Sequence, residues 1–378
     1  MRRFRDSLTR LVSGPILLSI VLAFAIGAIF IALAGYSPGG AYAAMLHGSI
    51  FSPLGVLNTI QRAIPLVGMA MATAIAFRAG ILNIGTEGQM VVGGTVSALV
   101  VLYVPGPGIC VLFLALIAGF AGGALWGIIA ALFQFWPGVP ILISSLLLAY
   151  PARYLSSWLV RFPFKDPESS MVATRQFDPS TQLPMLVPPK SGLGQSLTST
   201  FGRGTFLPTL LTQVNWGLFI VLAIVVLMLF VNKRTVFGYE SGISGLNARF
   251  AQYGGANARA LTFSTMAISG GVAGLIGTIF VIGAPNTRLI EGAIVSTNYA
   301  WTGLLVALLA MYRPASVLVA GIFFGAIMAG SGAMSRELGM SPQIAAVVQG
   351  LVIILVAFHV GWPKLRKRIT AKEGEPRE

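Results

Sequence analysis

One apolar run follows another along this chain, each about twenty residues long and almost free of charge, and such runs enter a bilayer only as helices that satisfy their own backbone. Ten runs can be drawn, over residues 14–35, 58–77, 87–104, 109–135, 139–160, 214–231, 258–284, 299–312, 315–334 and 341–362. The eighth is short and fits a tilted helix or one fed by the segment before it. The expected fold class is an all-α polytopic membrane protein with ten transmembrane helices in one domain, residues 1–378. With 56% hydrophobic and only 10% charged residues the chain is far from a soluble domain, where charges make up about a quarter. Its 45 glycines suit helices packed closely in lipid, and its 21 prolines supply ends and kinks.

Charge sets the orientation. With the N-terminus in the cytoplasm, sixteen of the 25 Lys and Arg fall inside: the four before the first run, Arg78, the group from Lys233 to Arg259, Arg313, and the tail from Lys364 to Arg377. That is the positive-inside bias. Residues 1–13 and 363–378 are then cytoplasmic, 14–160 form five helices, 161–213 an outer loop, and 214–362 five more with an inward loop at 233–257. The KLRKR cluster beside Trp362 is placed as an interfacial anchor. The N-terminal arginines and Ala32-Leu33-Ala34 imitate a cleaved leader, but the run between them is too long, so it is read as an uncleaved first span. Five spans on either side of the outer loop would make two related halves upside down to each other. Gly-containing interruptions at 80–96 and 283–297 fall at comparable places in them.

A net charge of +14 does not mark a nucleic-acid protein, because the basic residues are spread between apolar runs and not gathered on one soluble face. The single cysteine, Cys110, leaves no intramolecular disulfide and no metal cluster. His47 and His359 accompany no nucleophile motif, and no Gly-rich phosphate loop is present. No catalytic set, metal or cofactor is expected, and any ATP hydrolysis must come from another chain.

The stretch Phe77–Gln89, FRAGILNIGTEGQ, breaks the pattern by setting Arg78, Asn83, Glu87 and Gln89 between two apolar runs. A carboxylate beside hydrocarbon costs several kcal/mol unless paired or hydrated. Glycines 80, 85 and 88 let the backbone leave helical geometry, and the amides can satisfy what is freed. Two readings overlap: a broken helix lining a pathway, or a plain cytoplasmic turn in which Glu87 caps the third span or pairs with Arg78. A second element lies in the inward loop. Between Gly245 and Gly254-Gly255 a short helix over residues 246–253 is expected, with Asn247 at its start and small Ala248 and Ala251 allowing close docking of another protein.

NIG-x-EGQ after FRAG, followed by FGYE, a G-x-N element and a Tyr-Gly-Gly turn, closely resembles the integral membrane permeases of ABC importers for branched-chain amino acids, simple sugars and nucleosides. The nucleoside and simple-sugar branch fits best, over roughly residues 58–358. The resemblance implies that Gly245, Leu246, Asn247, Ala248, Ala251, Tyr253 and Gly255 form the coupling element that fits a groove on a cytoplasmic ATPase. The chain departs from the pattern with Gly242-Ile243 where Arg-Ala is usual, and with Phe250 in place of an alanine. It also implies an extracytoplasmic solute-binding protein, a second permease chain that is often a different one, and a bacterial cytoplasmic membrane. The expected solute pathway comprises Asn58, Gln61, Arg62, Asn83, Glu87, Gln89, Asn298 and Trp301, whose amides and indole suit a sugar or nucleoside. The competing reading is an ion-coupled secondary transporter with Glu87 as the ion site.

Overall fold

The computed structural model describes residues 14–202, 204–283, 286–341, 343–344, 346–347 and 350–351. The N-terminal arginines, His359, the KLRKR cluster and most of the tenth apolar run lie outside the described residues. Helices α1 (Gly14–Leu33) and α2 (Pro38–Leu46) lead through a π-helical turn (His47–Phe51) into α3 (Pro53–Arg78), α4 (Thr86–Tyr103), α5 (Gly108–Phe135) and α6 (Ile141–Arg161). Residues 161–213 carry α7 (Gly192–Phe201) and α8 (Phe206–Gln213), and after them come α9 (Gly217–Arg234), α10 (Val236–Leu246), α11 (Ala248–Tyr253), α12 (Ala258–Ile282), α13 (Ala293–Ser296), α14 (Tyr299–Leu309) and α15 (Pro314–Leu338). The first nine apolar runs each coincide with one helix. Among the described residues five helices, α3, α5, α9, α12 and α15, are long and apolar enough to cross a membrane.

The chain divides into two compact units, residues 1–59 with 326–378, and residues 60–325. In the first, the Tyr42 hydroxyl donates to the Phe24 carbonyl at 2.6 Å and Thr59 to the Ser49 carbonyl at 2.8 Å. In the second, the core is built on absent side chains. Gly93 of α4, Gly119 and Gly123 of α5 and Gly274 of α12 meet backbone to backbone, and a Cβ on Gly93 would collide with Gly274. Small residues permit this approach where lipid supplies no hydrophobic drive. Beside this trio α6 runs along α4 in the same direction: Gly85 lies on Ser145, and Gly88 on Ala149 and Ala152.

The structure adds two features to the sequence reading. The inward loop is largely helical, since Thr235 caps α10 by accepting the Gly238 N–H at 3.1 Å. The glycines that disguise this helix in the sequence are needed for contact: a Cβ on Gly238 would strike the Val231 carbonyl, and one on Gly245 the Arg78 carbonyl. The segment between α6 and α7 is also tied down by backbone. It pairs with the stretch before α13, through Thr174 N–H to the Leu289 carbonyl at 3.0 Å and Phe177 N–H to the Thr287 carbonyl at 2.7 Å.

Candidate functional site

The break between α3 and α4 begins at Gly80, whose φ of +79° favours glycine and whose backbone lies against Gly245. From there residues 81–85 return along α6 and α12 before α4 starts. Asn83 is the pivot and is fully buried. Its Nδ2 donates to Gln89 Oε1 at 3.0 Å and to Ser269 Oγ at 2.9 Å, while its Oδ1 accepts from Gln89 Nε2 at 3.2 Å and from the Gly85 N–H at 3.1 Å. Ser269 passes its own proton to the Ala72 carbonyl at 2.7 Å, and the Ile84 N–H meets Ser145 Oγ at 3.3 Å. Both side-chain amides of the break, Asn83 and Gln89, thus have their nitrogen and oxygen engaged, and two of the freed backbone N–H groups find side-chain oxygens, which is how irregular backbone survives where water is scarce.

Glu87 stands in the first turn of α4, a place the helix dipole favours for a carboxylate, yet it neither caps the helix nor pairs with Arg78. Its Oε2 takes Arg153 Nη2 at 2.5 Å and the Trp301 indole N–H at 2.7 Å. The expected partner Arg78 instead donates to the Gly238 carbonyl of α10 at 3.4 Å. Arg153 lies twelve residues into α6, about 18 Å along it at 1.5 Å per residue, so the ion pair sits near the helix middle. The capping and Arg78-pairing readings therefore fail for Glu87, whose carboxylate is held by α6 and α14.

Of the remaining expected pathway residues, Gln61 donates from Nε2 to the Gln213 carbonyl at 2.9 Å, and Arg62 is half-buried. Asn298 is exposed, with φ +54°, at the start of α14, and Trp301 is exposed on the same helix. Asn58 belongs to the other compact unit and is half-buried. The structure therefore joins Asn83 to Gln89 and Glu87 to Trp301, but does not join these to Gln61. Sequence reading missed Arg153, Ser269 and Ser145. The available signal was a lone arginine inside an apolar run, which requires a carboxylate.

Glu291 forms a second charged cluster. Its carboxylate accepts from Ser157 and forms a two-pronged pair with Arg161 at 2.7 and 2.9 Å, while Arg288 faces Asp166 at 3.8 Å. The Ser157 hydroxyl first, and then Arg161, hold the Glu291 carboxyl below the usual carboxylate range.

In the inward loop Asn247 Oδ1 accepts the Phe250 N–H at 3.1 Å and caps α11, a helix starting at Ala248, two residues later than expected. Ala251, expected on a docking face, is buried against its own chain. Leu246 (90% exposed), Tyr253 (91%) and Phe250 project outward instead. In so short a helix only one side can face a partner, and the small residue takes the inner side.

The family profile described as branched-chain amino acid transport system / permease component matches residues 55–357. The chain belongs to this family of transport permeases. The permease is a multi-pass protein of the cytoplasmic membrane. It is 28% identical over 254 residues to the guanosine ABC transporter permease protein NupP of Bacillus subtilis, covering 67% of each chain. It is 28% identical over 257 residues to the glucose ABC transporter permease protein TsgB13 of Haloferax volcanii, covering 68% of the permease and 64% of that relative. With the nucleoside ABC transporter permease protein NupB of Lactococcus lactis it shares 27% over 263 residues, 69% and 68% of the two chains. The permease thus spans about two thirds of the length of each.

Proposed function

We propose that this permease is the membrane subunit of an ABC importer that carries a nucleoside or a simple sugar inward through ten spans, with both termini in the cytoplasm and two inverted halves of five. A solute-binding protein delivers at the outer face, and a cytoplasmic ATPase pushes on the exposed loop around Asn247. A second permease chain, of a different sequence or a second copy of this one, completes the pathway. The permease itself hydrolyses nothing.

The observation that carries this reading is the backbone contact between Gly245, two residues before the Asn247 cap, and Gly80, where the break toward Asn83 and Glu87 begins. A displacement of the loop is passed to that break through main chain, without a flexible side chain between. Coupling then requires ATP and solute to prefer different arrangements of this one element. The ion-coupled alternative finds no support, since Glu87 already holds a guanidinium and an indole N–H on one oxygen and the relatives are ABC permeases.

The test is reconstitution of the permease with its ATPase, membrane partner and binding protein in vesicles. ATP-dependent uptake of guanosine or glucose supports the reading. Uphill uptake on an ion gradient without nucleotide overturns it.

A further inference from the structure

Glu87 and Arg153 are bound to each other but not equally hidden. The Glu87 side chain is 7% exposed and that of Arg153 31%. Arg153 borders a cavity of about 270 Å³ whose walls include Tyr150, Tyr154, Ser157, Glu291 and Val295, and Glu87 is not among them. The carboxylate stands behind the guanidinium.

Tyr150, Arg153, Tyr154, Ser157 and Arg161 recur every three or four residues of α6 and so form one stripe. An arginine near the middle of such a helix costs about 2.5–3.5 kcal/mol against lipid, so the stripe borders water or protein. One nitrogen of Arg153 is committed to Glu87, and its carbon centre lies 5.5 Å from the Tyr150 ring. Its Nε is buried and has no partner. Of the acidic groups nearby, Glu291 is engaged by Ser157 and Arg161, and Glu87 holds Arg153 and Trp301 on Oε2 while its Oε1 is buried, unpartnered and outside the cavity wall. The wall therefore offers N–H donors, tyrosine faces and hydroxyls, and its one carboxylate, Glu291, is held by Ser157 and Arg161.

We infer that Arg153, not Glu87, contacts the solute, with Glu87 as its counter-ion, and that this wall selects a nucleoside over a simple sugar. This rests on the proposed transport function. A guanidinium donates to the carbonyl and ring-nitrogen acceptors of a base and stacks on flat rings, and tyrosines supply further stacking faces. A simple sugar presents hydroxyls that seek acceptors as well as donors, and it has no π face.

The experiment places a reporter at Val295→Cys on the cavity wall, in a Cys110→Ser background because Cys110 is exposed. The whole transporter in vesicles is labelled with a water-soluble maleimide, with and without guanosine or glucose near saturation. Labelling slowed by guanosine but not by glucose is expected. Arg153→Gln should weaken that protection about tenfold, the worth of one charged hydrogen bond. The double variant Glu87→Gln/Arg153→Gln, which removes the unpaired charge, should assemble yet stay unprotected. Protection regained in the double variant makes the pair a structural clamp and overturns the inference. So does equal protection by glucose, or a cysteine that never reacts. Absence of ATP-driven uptake by the unmodified complex is a separate result, which sinks the transport reading itself.

Discussion

The backbone of Gly245 lies against the carbonyl oxygen of Arg78 with no space for a methyl group between them. This joins the end of α3 to the end of α10, and the Gly80 turn follows two residues after Arg78. Gly245→Ala is expected to lower transport by roughly tenfold, within the usual range of coupling free energies, while the ATPase still binds. Uptake and ATPase rates measured together in vesicles check this, and unchanged stoichiometry of ATP per solute would count against it.

The exposed face of residues 246–253, proposed to meet the ATPase, gives a complementary expectation. Leu246→Asp and Tyr253→Asp should abolish co-purification of the ATPase without lowering the melting temperature of the permease, because both side chains are about nine-tenths exposed. Asn247→Ala should loosen α11 by about 1 kcal/mol through loss of its cap, and show as faster amide exchange at Phe250.

Asn83→Leu should destabilise the second unit by about 1–3 kcal/mol for each partner left unsatisfied, since Gln89, Ser269 and the Gly85 N–H all bond to it. Thermal unfolding in detergent reads this directly. A melting temperature equal to that of the unsubstituted chain would mean water replaces the amide.

Glu291 predicts an acid step. Its folded-state pKa is depressed by Ser157 and then Arg161, so the stabilisation it gives is complete above the unfolded value of about 4.3 and disappears as pH falls through the folded value. Melting temperatures followed from pH 7 down to pH 3 should drop more for the unsubstituted chain than for Glu291→Gln, and the two should converge at the acid end.

The helices of the first nine apolar runs were legible because apolar length is a property of contiguous sequence, and the Asn247 cap because capping is local. Arg153 was not matched to Glu87 because nothing in linear spacing says that α6 runs along α4. Nor was α10 visible: Gly238, Gly242 and Gly245 read as loop residues, although they serve the approach of the Val231 carbonyl, the Arg78 side chain and the Arg78 carbonyl. Ala251 was misplaced for a similar reason, since a small residue suits either a docking face or an inner one, and only the folded loop decides.

The pairing of Glu87 with Arg153 also constrains biogenesis. The carboxylate leaves the ribosome first and stays unneutralised until α6 has been made, and each charge alone weighs against membrane insertion. Helices α4 and α6 are therefore expected to settle together. A chain truncated before Arg153 should therefore hold α4 poorly, and quality-control proteases should meet it there.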